Sequence, residues 1–153
     1  MQVDAAAQIV ANWRFPVSNT ISISNVTQYE RKLIEAVAAA YALIAHSDGE
    51  PAGIERQQLF TILRNRPALS SLPRTEIAQA SAVHEANFRL DPEIAQEIAR
   101  EKLIAIADES AASDIILALC RELIAADGVL HPAERRQFRE IKTLLGVTRT
   151  PAA

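Results

Sequence analysis

Four carboxylates recur in one pattern. Asp48 is followed by Gly49 and, seven residues after the Asp, by Glu55; Asp127 is followed by Gly128 and, at the same distance, by Glu134. The two sets lie 79 residues apart, Asp48 to Asp127 and Glu55 to Glu134. Two carboxylates bracketing a tight turn suit a hard cation such as Ca2+ or Mg2+, which takes oxygen ligands. His46 and His131 stand beside the two loops, and with an imidazole in the set Zn2+ becomes a candidate. The loops are not EF-hands, because the Glu falls at position eight where that loop needs it at twelve. Two carboxylates alone hold a cation weakly, so a useful site must recruit both loops, a partner's group or several waters.

The repeat reaches past the loops. At the same offset Arg56 meets Arg135, Gln58 meets Gln137, Leu59 meets Phe138 and Ile62 meets Ile141. Upstream, Val37, Ala40, Tyr41 and Ile44 meet Ile116, Leu119, Cys120 and Leu123. The match covers an apolar stripe, a loop and a second stripe, which is an internal duplication. Each copy therefore reads as helix, acidic loop, helix.

Helix signals bound the elements. Thr27-Gln28-Tyr29-Glu30 is a capping box, in which the hydroxyl and the carboxylate each satisfy the other residue's backbone N–H. Leu33, Val37, Ala40, Tyr41 and Ile44 then follow the helical period on one face, toward a stop near Ser47. A second helix runs from about Gly53 to Asn65, with Leu59, Ile62 and Leu63 inward and Pro67 closing it. Leu72-Pro73 opens a third, whose face carries Ile77, Ala80, His84 and Phe88. Asp91-Pro92 caps a fourth, running to about Ala107, and Ser110 or Ser113 a fifth. Pro132 begins the sixth, with Phe138, Ile141 and Leu145 inward and Gly146 as its stop. The expectation is an all-α fold, a single compact helical domain of about six to seven helices with an internal pseudo-repeat. Residues 1–24 read as an N-terminal arm, either anchored on the domain by Trp13 and Phe15 or disordered or partner-binding, 25–147 as the helical domain and 148–153 as a frayed C-terminus.

These helix ends give the acids their electrostatics. Asp48 and Asp127 fall at helix C-termini, the negative end of the macrodipole, where a carboxylate is disfavoured by roughly 0.3–1 kcal/mol. Glu55 and Glu134 fall in the first turn of the next helix, where a carboxylate is favoured. The glutamates are thus explained by the helix start alone, and His131 as a helix cap. The plain account of His46 is a solvent-exposed residue of a last turn. The aspartates are the least explained, since an unfavourable placement occurs twice at one spacing and a bound cation reverses its sign.

Composition excludes several classes. The 153 residues suffice for one domain with a real core. The net charge of −3 argues against a nucleic-acid surface. Cys120 is the single cysteine, so there is no intramolecular disulfide and no CxxC pair; on a buried stripe it is an inert thiol. The longest apolar stretch, Ala36 to Ala45, is too short to span a bilayer, and no signal peptide is expected at the N-terminus. Glu93, Glu97 and Glu101 form a solvated helix face, Asp108, Glu109 and Asp114 cluster before the fifth helix, and His84 sits on an apolar face as a packed histidine. Arg64 and Arg66 are too few for a phosphate patch. No phosphate loop and no nucleophile elbow is present.

The repeated loops, Ala45-His46-Ser47-Asp48-Gly49 with Glu55 and Ile124-Ala125-Ala126-Asp127-Gly128 with Glu134, resemble those of the TerB-like family associated with tellurite resistance. The resemblance covers roughly Glu30 to Val147. It implies an all-α domain, a cytoplasmic setting and metal binding by the loop acids. It also implies an accessory or sensing role in stress response, beside protein partners in a membrane-associated complex. The first loop departs from the second, with Ala52-Gly53 where the second has His131-Pro132. Three functions follow as expectations: a non-catalytic module binding a divalent cation through Asp48, Glu55, Asp127 and Glu134, with His46 and His131 as further ligands; a purely structural interaction domain; or a metal-assisted hydrolase, for which no general base can be named.

Overall fold

The computed structural model describes residues 26–47, 53–126 and 131–146, with side chains from residue 56 in the middle segment. Seven helices lie among them: α1 (Gln28–Ala45), α2 (Gly53–Asn65), α3 (Pro67–Ser70), α4 (Arg74–Leu90), α5 (Pro92–Ala105), α6 (Ser110–Ala125) and α7 (Pro132–Leu144). There is no strand among the described residues, and the fold is all-α. The chain divides between Arg31 and Lys32. Of the first unit the described part is the start of α1. There Glu30 N donates to Thr27 Oγ1 and Thr27 N to Glu30 Oε1, both at 3.0 Å, completing the capping box. The arm at 1–24 and the residues 148–153 lie outside the described residues.

The second unit shows the duplication in its helix ends. α2 and α7 are each 13 residues long, and both their starts and their ends lie 79 residues apart. The stripes of α1 and α6 register as well. Val37 and Ile116, Ala40 and Leu119, and Tyr41 and Cys120 are all 0–1% exposed.

The two copies differ in depth. α6 buries one face, with Arg121 and Glu122 in solvent. α1 is buried on every side, continuously from Ala36 to Ala45. The expected single stripe on α1 is therefore an underestimate. Alanines at 36, 38, 39, 40, 42 and 45 lie on all its faces, and each is 0–3% exposed. α2 packs on α3 and α6, α4 on α5, and α7 on α5 and α6.

Other boundaries shift for local reasons. Pro67 does not simply close α2; it opens the one-turn α3, at a position where its missing N–H is harmless. Pro73 is the N-cap of α4 and not its first helical residue. Asp91 caps α5 by accepting from Ile94 N at 3.2 Å, and α5 ends at Ala105. Neither Ser110 nor Ser113 caps α6. The N-cap is Glu109, without a side-chain bond, and Ser113 is buried inside the helix. Ala80 is only half-buried, and Ser81 and Glu85 join Ile77, His84 and Phe88 on the inner face of α4. Phe138 is half-buried, with Arg121 and Lys142 each 5.7 Å from its ring centroid. Gly146 ends the chain of helices at φ 73°, the left-handed conformation expected of a stop glycine.

Burial pushes the Cys120 thiol up to about 12, only slightly offset by Arg121. Since the thiolate is the reacting species, Cys120 in native protein is expected to react with a disulfide reagent at pH 8 only as fast as the protein opens. Labelling as fast as that of the unfolded chain refutes this placement.

Candidate metal centre

The end of α1 orients a histidine. His46 N donates to the Ala42 carbonyl at 2.9 Å, and its ring Nδ1 lies 3.0 Å from the same oxygen. A carbonyl only accepts, so Nδ1 carries the hydrogen and the neutral ring keeps its lone pair on Nε2. The ring also stacks flat on Phe88 of α4, with centroids 4.3 Å apart and planes 9° from parallel. His46 is therefore half-buried and fixed at both ring face and ring edge, which corrects its description as a solvent-exposed residue of the last turn. Ser47 N and Oγ both donate to the Ile44 carbonyl, at 3.2 and 2.8 Å. The oxygens of Ala42 and Ile44 thus already receive two donors each.

The second loop leads into α7 through His131, which is the N-cap with extended backbone (φ −89°, ψ 131°). Its carbonyl accepts from Arg135 N at 3.1 Å, while its side chain makes no capping bond. Pro132 follows in the first turn, as expected. Glu134, also in that turn, is 5% exposed, whereas its neighbours Arg135 and Arg136 are in solvent. A carboxylate withdrawn this far must be compensated, because desolvating a charge is costly.

Asp48 and Asp127 lie outside the described residues. Glu55 lies in the first turn of α2, and its side chain is likewise outside them. Among the described residues no three His, Cys, Asp or Glu side chains are grouped so as to hold a metal ion.

The remaining candidate acids, Glu93, Glu97, Glu101, Asp108, Glu109 and Asp114, are in solvent, but Asp114 lies inside α6 and not before it, because the helix already starts at Ser110. His84 is packed at 2% exposure, and its Nδ1 has no hydrogen-bond partner. Burial lowers its pKa, Glu35 opposes that shift and Lys102 adds to it, so the ring is held neutral.

An ion pair that sequence spacing does not announce joins α2 to α4. Arg56 Nη2 lies 2.9 Å from both oxygens of Glu85, and Arg56 Nε donates to Oε2 at 3.2 Å. The bond to Glu85 is the main cause raising the Arg56 pKa, with a smaller contribution from Tyr41. The signal was present: Glu85 falls eight residues after Ile77 on the apolar stripe of α4, and an acid on such a stripe needs a cation. The partner, 29 residues away, has no mark in sequence.

The pair is unequal, with side-chain exposure of 53% for Arg56 and 11% for Glu85. Arg56→Met leaves a buried carboxylate and is expected to cost about 1–3 kcal/mol. Glu85→Gln leaves a guanidinium that reaches water and is expected to cost under about 1 kcal/mol. Urea midpoints of the two variants test this order; equal or reversed losses refute it.

Arg66 of the α2–α3 junction pairs with Glu122 of α6. Arg100 of α5 pairs with Glu140 of α7 at 2.7 Å. Both pairs brace the helices that follow the acidic loops. No helix among the described residues is long and apolar enough to cross a membrane.

Neither a curated protein nor a solved structure gives a significant match to this chain. The family model described as tellurite resistance protein TerB, however, matches residues 34–152. That span takes in most of α1, all of α2 to α7 and most of the chain, and on it the protein belongs to the TerB family.

Proposed function

We propose that the chain is a non-catalytic accessory or sensing module that binds a divalent cation through its acidic loops, in a metal- or tellurite-stress response. Asp48, Glu55, Asp127 and Glu134 supply the carboxylates, and His46 and His131 are the candidate nitrogen donors. The observation that carries this reading is the fixed ring of His46, two residues before Asp48. Metal-binding histidines are commonly oriented in this way, with one ring nitrogen donating to a backbone carbonyl and the other presented to the ion. Family membership adds weight to it. The hard carboxylates favour Ca2+ or Mg2+, and recruitment of His46 moves the preference to Zn2+. The setting is cytoplasmic, beside protein partners at a membrane-associated complex.

Titration calorimetry with Ca2+, Mg2+, Mn2+ and Zn2+ tests the reading on the full chain. Saturable heat with one of the four is expected, and lost on Asp127→Asn. Absence of heat with every ion leaves a purely structural interaction domain, with each acid serving a helix end.

A further inference from the structure

The duplication places two equivalent helix surfaces side by side for comparison, and they are finished differently. At the 79-residue offset, Gly53, Arg56, Gln57 and Phe60 of α2 correspond to Pro132, Arg135, Arg136 and Arg139 of α7. On α2 one position of this surface is paired across to a second helix. Arg56 and Phe60 form one wall of a groove of about 260 Å3, and α4 forms the other with Ala78, Ser81, Ala82 and Glu85. The α4 wall is a helix face with small residues in the middle and a carboxylate at one end, and that carboxylate takes Arg56 in a bidentate pair.

On α7 the same surface lines a groove of about 250 Å3, to which the described residues contribute Pro132, Arg135, Arg136 and Arg139. These four positions follow the i, i+3, i+4, i+7 spacing of one helical stripe. All three arginines are exposed, and among the described residues no carboxylate forms an ion pair with any of them. The acids of the same helix are engaged elsewhere or turned away. Glu140 pairs with Arg100, and Glu134 is buried toward the interior. Like charges at i and i+4 repel, and cations near a helix N-terminus oppose the macrodipole. Arg135 and Arg139 thus repel each other as they stand, Arg135 also lies near the positive end of the helix, and an anion offsets both effects.

From this comparison we infer that the outer face of α7 is a docking surface for an acidic helix of a partner protein, whose carboxylates meet these arginines as Glu85 of α4 meets Arg56 of α2. The occupant presents small residues toward the groove and two or three carboxylates at helical spacing toward Arg135, Arg136 and Arg139. Guanidinium groups match carboxylates with two parallel hydrogen bonds, as Arg56 already does with Glu85 through Nε to Oε2 and Nη2 to Oε1. The surface is local, about two helical turns long, on a chain whose net charge is −3. That favours a short acidic segment over an extended polyanion. The inference does not depend on cation binding by the loops, and failure of one leaves the other standing.

The test uses the full chain and a fluorescein-labelled, helix-stapled peptide with alanines on one stripe flanked by Glu at i, i+4 and i+7, beside its Gln counterpart. Anisotropy titrations at low and moderate salt are expected to show salt-sensitive binding of the Glu peptide. At least tenfold weaker binding is expected for the Gln peptide and for the variant R135Q/R136Q/R139Q. The three positions are exposed, so the variant is expected to fold, as circular dichroism checks. Equal binding by wild type and variant, or no binding of the Glu peptide by wild type, overturns the inference. So does displacement of the peptide by millimolar pyrophosphate or binding to phosphatidylserine vesicles at equal or greater strength, either of which marks a general anion site.

Discussion

Replacing Ala42 by arginine is expected to leave little folded protein, although the corresponding position of the second copy, residue 121, is already an arginine. The repeat aligns the two positions; the burial separates them. Ala42 is 0% exposed inside α1, while Arg121 stands in solvent on α6. An arginine at 42 brings an unpaired charge into the interior at several kcal/mol and overpacks an alanine site at about 1–3 kcal/mol more. A domain of this size has only about 5–15 kcal/mol to lose. Ala42→Leu carries the steric part alone and is expected to fold with a lowered Tm. Arg121→Ala, whose change is at the surface, is expected to melt close to wild type. Soluble yield and thermal unfolding by circular dichroism measure all three. A wild-type Tm for Ala42→Arg removes α1 from the centre of the core.

The second large effect is on cation-dependent stability. If the acidic loops hold a divalent ion, binding stabilises the folded state by RT ln(1 + [L]/Kd), about 2.7 kcal/mol when the ion exceeds Kd a hundredfold. Asp127→Asn is expected to abolish that gain. In chelator the same substitution is expected to be neutral or slightly stabilising, because it removes a carboxylate from the negative end of α6, worth roughly 0.3–1 kcal/mol. A capping role predicts the opposite pattern: no metal response, and a loss of about 0.5–2 kcal/mol in chelator. Glu134→Gln distinguishes the two residues. Glu134 is buried, so its replacement alters the interior even without metal, whereas its effect on the metal response follows Asp127 only if both belong to one site. Identical metal responses in wild type and Asp127→Asn make the loops architecture.

What was legible in the sequence was local or periodic. Thr27 and Glu30, Asp91 with Pro92, and Pro132 with Gly146 each marked a helix end because the relevant hydrogen bond or dihedral is made within a few residues. The offset of 79 was legible because duplicated helices keep their length, as α2 and α7 do. The depth of α1 was not. Alanine fits both interior and surface, so alanines on the flanks of the Leu33–Ile44 stripe carry no periodic signal, and only the packing of other helices buries them. Ser113 misled for a related reason. A serine near a helix start reads as a cap, but here it lies one turn further in and is buried. Of the candidate site, the sequence placed His46 beside the first loop and missed what holds its ring, because Phe88 lies on another helix 42 residues away.

The alanines of α1 have a further consequence. Six of the ten residues from Ala36 to Ala45 are alanine, a side chain with no rotamers and no side-chain entropy to lose on burial. Such a helix has few alternative packings to switch among. At those six positions a neighbour's movement cannot be met by a change of rotamer, so the alanine faces adjust only where the backbone itself shifts. By composition, α1 is a stiff spacer, and its alanine faces set how near a neighbouring backbone can lie.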